Sequence, residues 1–157
     1  MNRFPDHRPA DRDGWVMRAR RQVQSESALQ FQMGDLVIDV LAGRSRGHGE
    51  VTQAIELLAQ QIGISANTLR EYYQVARQWP EAKRCSDVCW TVHSILSHHP
   101  DRFKMIKAPP VDPRTGEPRW TCDAANRALG RQTRHAESSK TLGGPAAHFR
   151  PRRQRPQ

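Results

Sequence analysis

IELLAQQIGISANTLREYYQ, residues Ile55–Gln74, decides the fold. Ile55, Leu58, Ala59 and Ile62 recur at the spacing of one helical face. Gly63 follows, and glycine supplies the positive φ that a tight turn demands. Ser65 is the residue type that caps a helix start, and Leu69, Tyr72, Tyr73 and Ala76 then repeat the helical spacing. Pro80 closes the block, because its ring disfavours an α conformation at Trp79. Two helices joined by so short a turn predict a helix-turn-helix over about residues 52–79, with Thr52 as the first cap. Ala59 falls where the two helices touch most closely and only a small side chain fits. Leu58, Ile62, Ile64, Leu69 and Tyr72 fall on the shared core. An ordinary αα-hairpin also needs a glycine and an apolar stripe. The small residue at the crossing and the apolar residue just after the turn favour the helix-turn-helix.

Helical geometry then assigns an outward face to the second helix. Ser65, Ala66, Asn67, Arg70, Glu71 and Gln74 lie opposite Leu69 and Tyr72. Such a face enters the major groove of double-stranded DNA in proteins of this motif. Asn67 and Gln74 suit adenine N6 and N7, and Arg70 suits guanine O6 and N7. Thr68 suits a phosphate or a thymine methyl. Glu71 suits cytosine N4 or a neighbouring arginine. The amides at the helix start favour a phosphate oxygen through the helix dipole.

Outward from this block the chain reads as all-α: a small helical domain over residues 15–130, a disordered arm over 1–14 and a basic disordered tail over 131–157. Trp15, Val16, Ala19, Val23, Ala28 and Leu29 give a first helical stripe. Gly34 predicts a break, with Asp35 capping a second helix that carries Leu36, Val37, Val40 and Leu41. Residues 43–50 read as a loop with Arg44 and Arg46. Helical spacing resumes at Trp90, Val92, Ile95 and Leu96, and again at Phe103, Met105 and Ile106. The three prolines and the glycine of residues 108–117 predict a loop, and Thr121 a cap for a short last helix. The four tryptophans are expected as core anchors at helix ends.

The charge is placed unevenly. The 157 residues carry a formal net charge of +9. Residues 51–80 are neutral, whereas residues 108–157 hold ten basic and four acidic groups. Arginine dominates, and its planar fork matches phosphate oxygens and guanine edges as lysine does not. The motif block therefore supplies selectivity. Raw attraction to a polyanion falls to Arg44, Arg46, Arg77, Lys83, Arg84 and the arginine-rich ends. No run approaches the roughly 20 apolar residues of a membrane span, and no apolar stretch follows the first basic residues as in a secretory signal. A cytoplasmic, nucleoid-associated location is expected.

A resemblance supports the motif. LLAQQIGISANTLREYYQVARQWP (57–80), WTVHSILSHHPDRFKMIKAPP (90–110) and PRTGEPRWTCDAANRALGRQ (113–132) resemble actinobacterial proteins labelled RacO-like. The likeness implies a helix-turn-helix protein of a mobile element or regulatory locus, and spans about residues 51–132. A slighter likeness, over the motif and the next helix, runs to the ParB/KorB class of partition and repressor proteins. No GERR-type nucleotide-binding box precedes the motif, so CTP binding is not implied.

Chemical constellations are few. Cys85, Cys89 and His93 stand at i, i+4 and i+8, but no CxxC knuckle accompanies them, and an odd number of cysteines in a cytosolic chain reads as free thiols. His98-His99-Pro100-Asp101 reads as a helix end followed by a cap. No GxSxG, P-loop, GxGxxG or HExxH is present, so neither enzyme activity nor a cofactor or metal is expected. The expectation is a transcriptional regulator that binds double-stranded DNA as a homodimer, without a membrane partner. Residues of about 90–130 are expected to brace the motif or to dimerise; no long heptad is evident, so a dimer would use packed helices, the Trp15–Leu41 region being another candidate. A plasmid or phage partition or replication-control protein is the second reading. A helical adaptor with non-specific nucleic-acid affinity is the third.

Overall fold

The computed structural model describes residues 9–43 and 48–131. Among the described residues six helices follow in order: α1 (Pro9–Ala42), α2 (His48–Ile62), α3 (Ala66–Gln78), α4 (Trp90–Leu96), α5 (Arg102–Met105) and α6 (Cys122–Ala128). A 3₁₀ turn, Glu81–Lys83, links α3 to α4. Among the described residues the only β pairing is one isolated bridge, Val111 with Pro118, so the chain is all-α. It closes a tight hairpin in which the Asp112 amide donates to the Glu117 carbonyl (2.9 Å) and Gly116 takes φ 72°. No described helix is long and apolar enough to cross a membrane.

α1 corrects the expected break. It starts at Pro9, within the segment read as an arm, and runs unbroken through Gly34. Gly34 is glycine because of what lies against it. A methyl there would fall 2.6 Å from Ala76 Cβ and would overlap the Tyr72 carbonyl oxygen. The residue marks the point where α1 and α3 cross at backbone distance. Asp35 is consequently no cap. It sits inside α1 and pairs with Arg84 (2.6 and 2.8 Å).

Two clusters form the core. Val37, Ile55, Ala59 and Leu69 join α1, α2 and α3, with Leu58, Ile64 and Tyr73 packed against them. Phe31, Val75, Trp79, Trp90, Val92, Leu96, Ile106 and Ala125 join α1 and α3 to the later helices. Burying an aliphatic or aromatic side chain of this size contributes about 1.5–3 kcal/mol. Ile62, expected in the shared core, is 43% exposed. Trp15, expected as an anchor, is 42% exposed, and the stripe of Val16 and Val23 is exposed with it. Trp79 and Trp90 are buried, and Trp120 is half-buried with its indole N–H donating to the Ile106 carbonyl (3.1 Å).

Candidate nucleic-acid interface

α2 and α3 meet at the turn that the sequence predicts. Gly63 has φ 77°, and the amides of Gly63 and Ile64 both donate to the Ala59 carbonyl (3.0 and 3.1 Å). Ala59 is buried and Leu69 fully so, which fixes the pair of helices face to face. α2 begins at His48, so Thr52 lies a turn inside the helix and not at its start. Ser65 is the N-cap of α3 in an extended conformation (φ −63°, ψ 136°). Its hydroxyl makes no capping bond, which leaves the first-turn amides of α3 without a side-chain partner from Ser65.

The outward face of α3 carries most of the residues assigned to it. Asn67, Glu71, Gln74 and Arg77 are exposed, and Arg70 is half-buried among them. The Arg70 guanidinium donates to Asn67 Oδ1 (2.8 Å), so these two side chains are held as a unit. Arg77 lies over the Tyr73 ring at 5.3 Å. Thr68 is half-buried. Ala66 is a correction: it packs against the Val37–Leu69 cluster, because position 66 turns toward α2 and α1. Arg44 and Arg46 lie outside the described residues.

Beside this face opens a groove of about 630 Å³. Ile38, Leu41, Val51 and Ile55 supply apolar walls, and Thr52, Arg70, Tyr73, Gln74 and Arg77 the polar ones. Thr52 and Tyr73 were not among the expected surface residues. Thr52 reads as a cap until α2 is known to start four residues earlier, and Tyr73 lines the groove while also packing against the core.

Behind α3 a polar and aromatic network holds its C-terminal end. The Trp79 indole N–H donates to the His93 carbonyl (2.9 Å) and to Ser97 Oγ (3.2 Å). Arg84 donates to the Trp79 carbonyl (2.8 Å) and Arg102 to the Gln78 carbonyl (2.9 Å), so two cations cap the negative end of α3. Arg84 also covers the Phe31 ring at 4.3 Å. It is thus spent within the molecule, where the sequence places it among the cations for phosphate. Lys83 stays exposed.

His93 belongs to this network. It is completely buried. Its Nδ1 pairs with the Cys89 carbonyl (3.0 Å), and its Nε2 accepts from the Cys85 amide (3.2 Å). Both ring nitrogens are engaged by backbone, so the ring is a neutral structural strut edge-on to Trp79 and Phe31. Burial pushes its pKa down; the Cys89 hydrogen bond opposes this and Arg84 adds to it. Partial burial raises the Cys122 thiol, and the neighbouring Cys89 raises it further. Among the described residues no cluster of three metal-ligating side chains occurs.

The comparisons with known proteins fall on the brace rather than on α3. Residues 79–141 match a sequence family described as a family of unknown function (DUF6192). The matched stretch opens at Trp79, just after the α3 face, and takes in Arg84, His93, Ser97, Arg102 and Trp120. No curated protein and no solved structure matches the chain.

Proposed function

We propose that the chain is a sequence-specific, non-enzymatic DNA-binding protein, a transcriptional regulator that places α3 in the major groove as one half of a homodimer. The row Asn67, Arg70, Glu71, Gln74 and Arg77 on one exposed face carries this reading. Amide and guanidinium groups in such a row match the donor and acceptor edges of bases. The opposite face of α3 is locked by Leu69, Val75 and Ala76 in the core, so the row is presented on a rigid support. The first-turn amides beside Ser65 add a site for a phosphate oxygen.

The Asn67–Arg70 hydrogen bond makes the reading sharper. An arginine held by a neighbour loses less freedom when it grips guanine. Asn67→Ala and Arg70→Ala should each cost about 1–3 kcal/mol of specific binding and spare non-specific binding. Because the two residues act together, the double variant should cost less than the sum. The measurement is retention of genomic fragments on the protein, sequenced and then titrated one by one. Discrete repeated or palindromic sites support the proposal. Uniform retention abolished by salt, or variants that bind a selected site like wild type, would remove α3 as the reading helix.

A further inference from the structure

We infer that α1 is the dimer interface, pairing antiparallel with α1 of a second copy along the strip Trp15, Ala19, Leu29, Met33, Leu36 and Val40. Once α1 runs unbroken through Gly34, these residues fall into one register. Successive members of the strip, with Gln22 and Glu26 at its middle, are alternately four and three residues apart. That is the spacing of a coiled-coil seam. Leu29, Leu36 and Val40 are 60%, 47% and 37% exposed, and Met33 is half-buried. Leu36 lies about 200° around the helix from Gly34, so the strip faces away from α3 except at Met33, which also packs against the Val37–Leu69 cluster.

The occupant follows from symmetry and charge. Laid antiparallel, Trp15 meets Val40 of the second copy, Ala19 meets Leu36, Gln22 meets Met33 and Glu26 meets Leu29. Exchanging the copies reproduces every pair, as a closed two-fold requires. The same register sets Arg18 beside Asp39 of the second copy, twice, flanking the seam. Both residues are exposed. The first half of the strip is basic (Arg18, Arg20 and Arg21 against Glu26) and the second is acidic through Asp39, since Asp35 is already paired with Arg84. A parallel pair would oppose like charges. The polar middle weakens the pair and fixes its direction, as single polar core residues do in coiled coils.

This pairing deepens the DNA reading by supplying its two-fold, but its evidence is independent of DNA. The two Gly34 crossings would stand about 20 Å apart along the pair. With each α3 on the outer flank, three interaxial gaps add about 27 Å across it.

Sedimentation velocity of the full chain, free of DNA and over a range of concentrations, tests the interface. The wild type should pass from monomer to dimer. Leu36→Asp should remain monomer with unchanged helical circular dichroism and melting, since Leu36 is exposed in the monomer. Arg18→Asp and Asp39→Arg should each weaken the dimer about tenfold at low salt, two exposed pairs being lost in each. The doubly exchanged variant should return to near the wild-type constant, and Glu26→Leu should tighten the dimer. A wild type that is monomeric throughout, a Leu36→Asp variant that still dimerises, or a double exchange without rescue overturns the proposal. A dimer that selects no DNA site leaves this interface standing and removes the DNA reading alone.

Discussion

At Gly34 a hydrogen atom takes the place that any other side chain would need, and α1 rests on the Tyr72 carbonyl because of it. Replacing a mid-helix glycine by alanine ordinarily favours the helix by about 1 kcal/mol. Here the added methyl meets backbone and the Ala76 methyl, neither of which can swing aside. Overpacking of this kind costs about 1–3 kcal/mol. Gly34→Ala should therefore destabilise the chain, seen as a lower urea midpoint with the same slope. His93 makes the second residue-scale case. Burial holds its folded pKa below the unfolded value of 6.5. In the window between them the unfolded chain binds more protons, so the stability due to a neutral His93 is complete above about pH 6.5 and falls as pH drops toward the folded value. The slope is at most about 1.4 kcal/mol per pH unit. Melting temperature should decline from pH 7 to pH 5, and His93→Gln should flatten that decline. An equal decline in the variant would assign it to other groups.

Between elements, the Asp35–Arg84 pair ties the middle of α1 to the C-terminal end of α3. Arg84 is 14% exposed at its side chain and Asp35 41%, so solvent screens the pair in part. Asp35→Asn should cost about 1 kcal/mol, a surface-pair value raised modestly by the buried cation. Arg84→Ala should cost more, because it also uncaps the Trp79 carbonyl and bares Phe31. Thermal denaturation of the two variants checks this order. The pair also shows where the sequence could and could not be read. The α2–turn–α3 unit was legible because its signals are local: periodicity, Gly63, Ser65 and Pro80 all act within one or two turns. Thr121 was legible for the same reason, and its hydroxyl does accept from the Ala124 amide (3.1 Å). The continuity of α1 was not. A glycine reads as a break from its neighbours, whereas the cause of Gly34 lies in Tyr72 and Ala76. Arg84 misled likewise, since its partner Asp35 is 49 residues away. His93 carried ligand-like spacing, and only the fold reveals that backbone occupies both its nitrogens.

Over the whole molecule, the division of charge sets how binding should respond to salt. Within the described residues, Arg84 and Arg102 are turned inward onto carbonyls at the end of α3. The exposed row on α3 adds two arginines and one glutamate, which is little net attraction. Residues 132–157 hold six basic side chains and one acidic one, so the proposed DNA reading assigns much of the attraction to phosphate to them. Each neutralised phosphate on B-DNA contributes about −0.9 to the slope of log K against log salt. Removing residues 132–157 should therefore lower affinity for every sequence alike and reduce the slope by up to about five. On the proposed reading the ratio of specific to non-specific binding should hold, because the proposal assigns that ratio to Asn67, Arg70 and Gln74. Titrations of the truncated and full chains against a selected site and a scrambled one, at several salt concentrations, separate the two quantities. If truncation instead erased the preference for the selected site and left the slope unchanged, the tail and not α3 would be reading sequence.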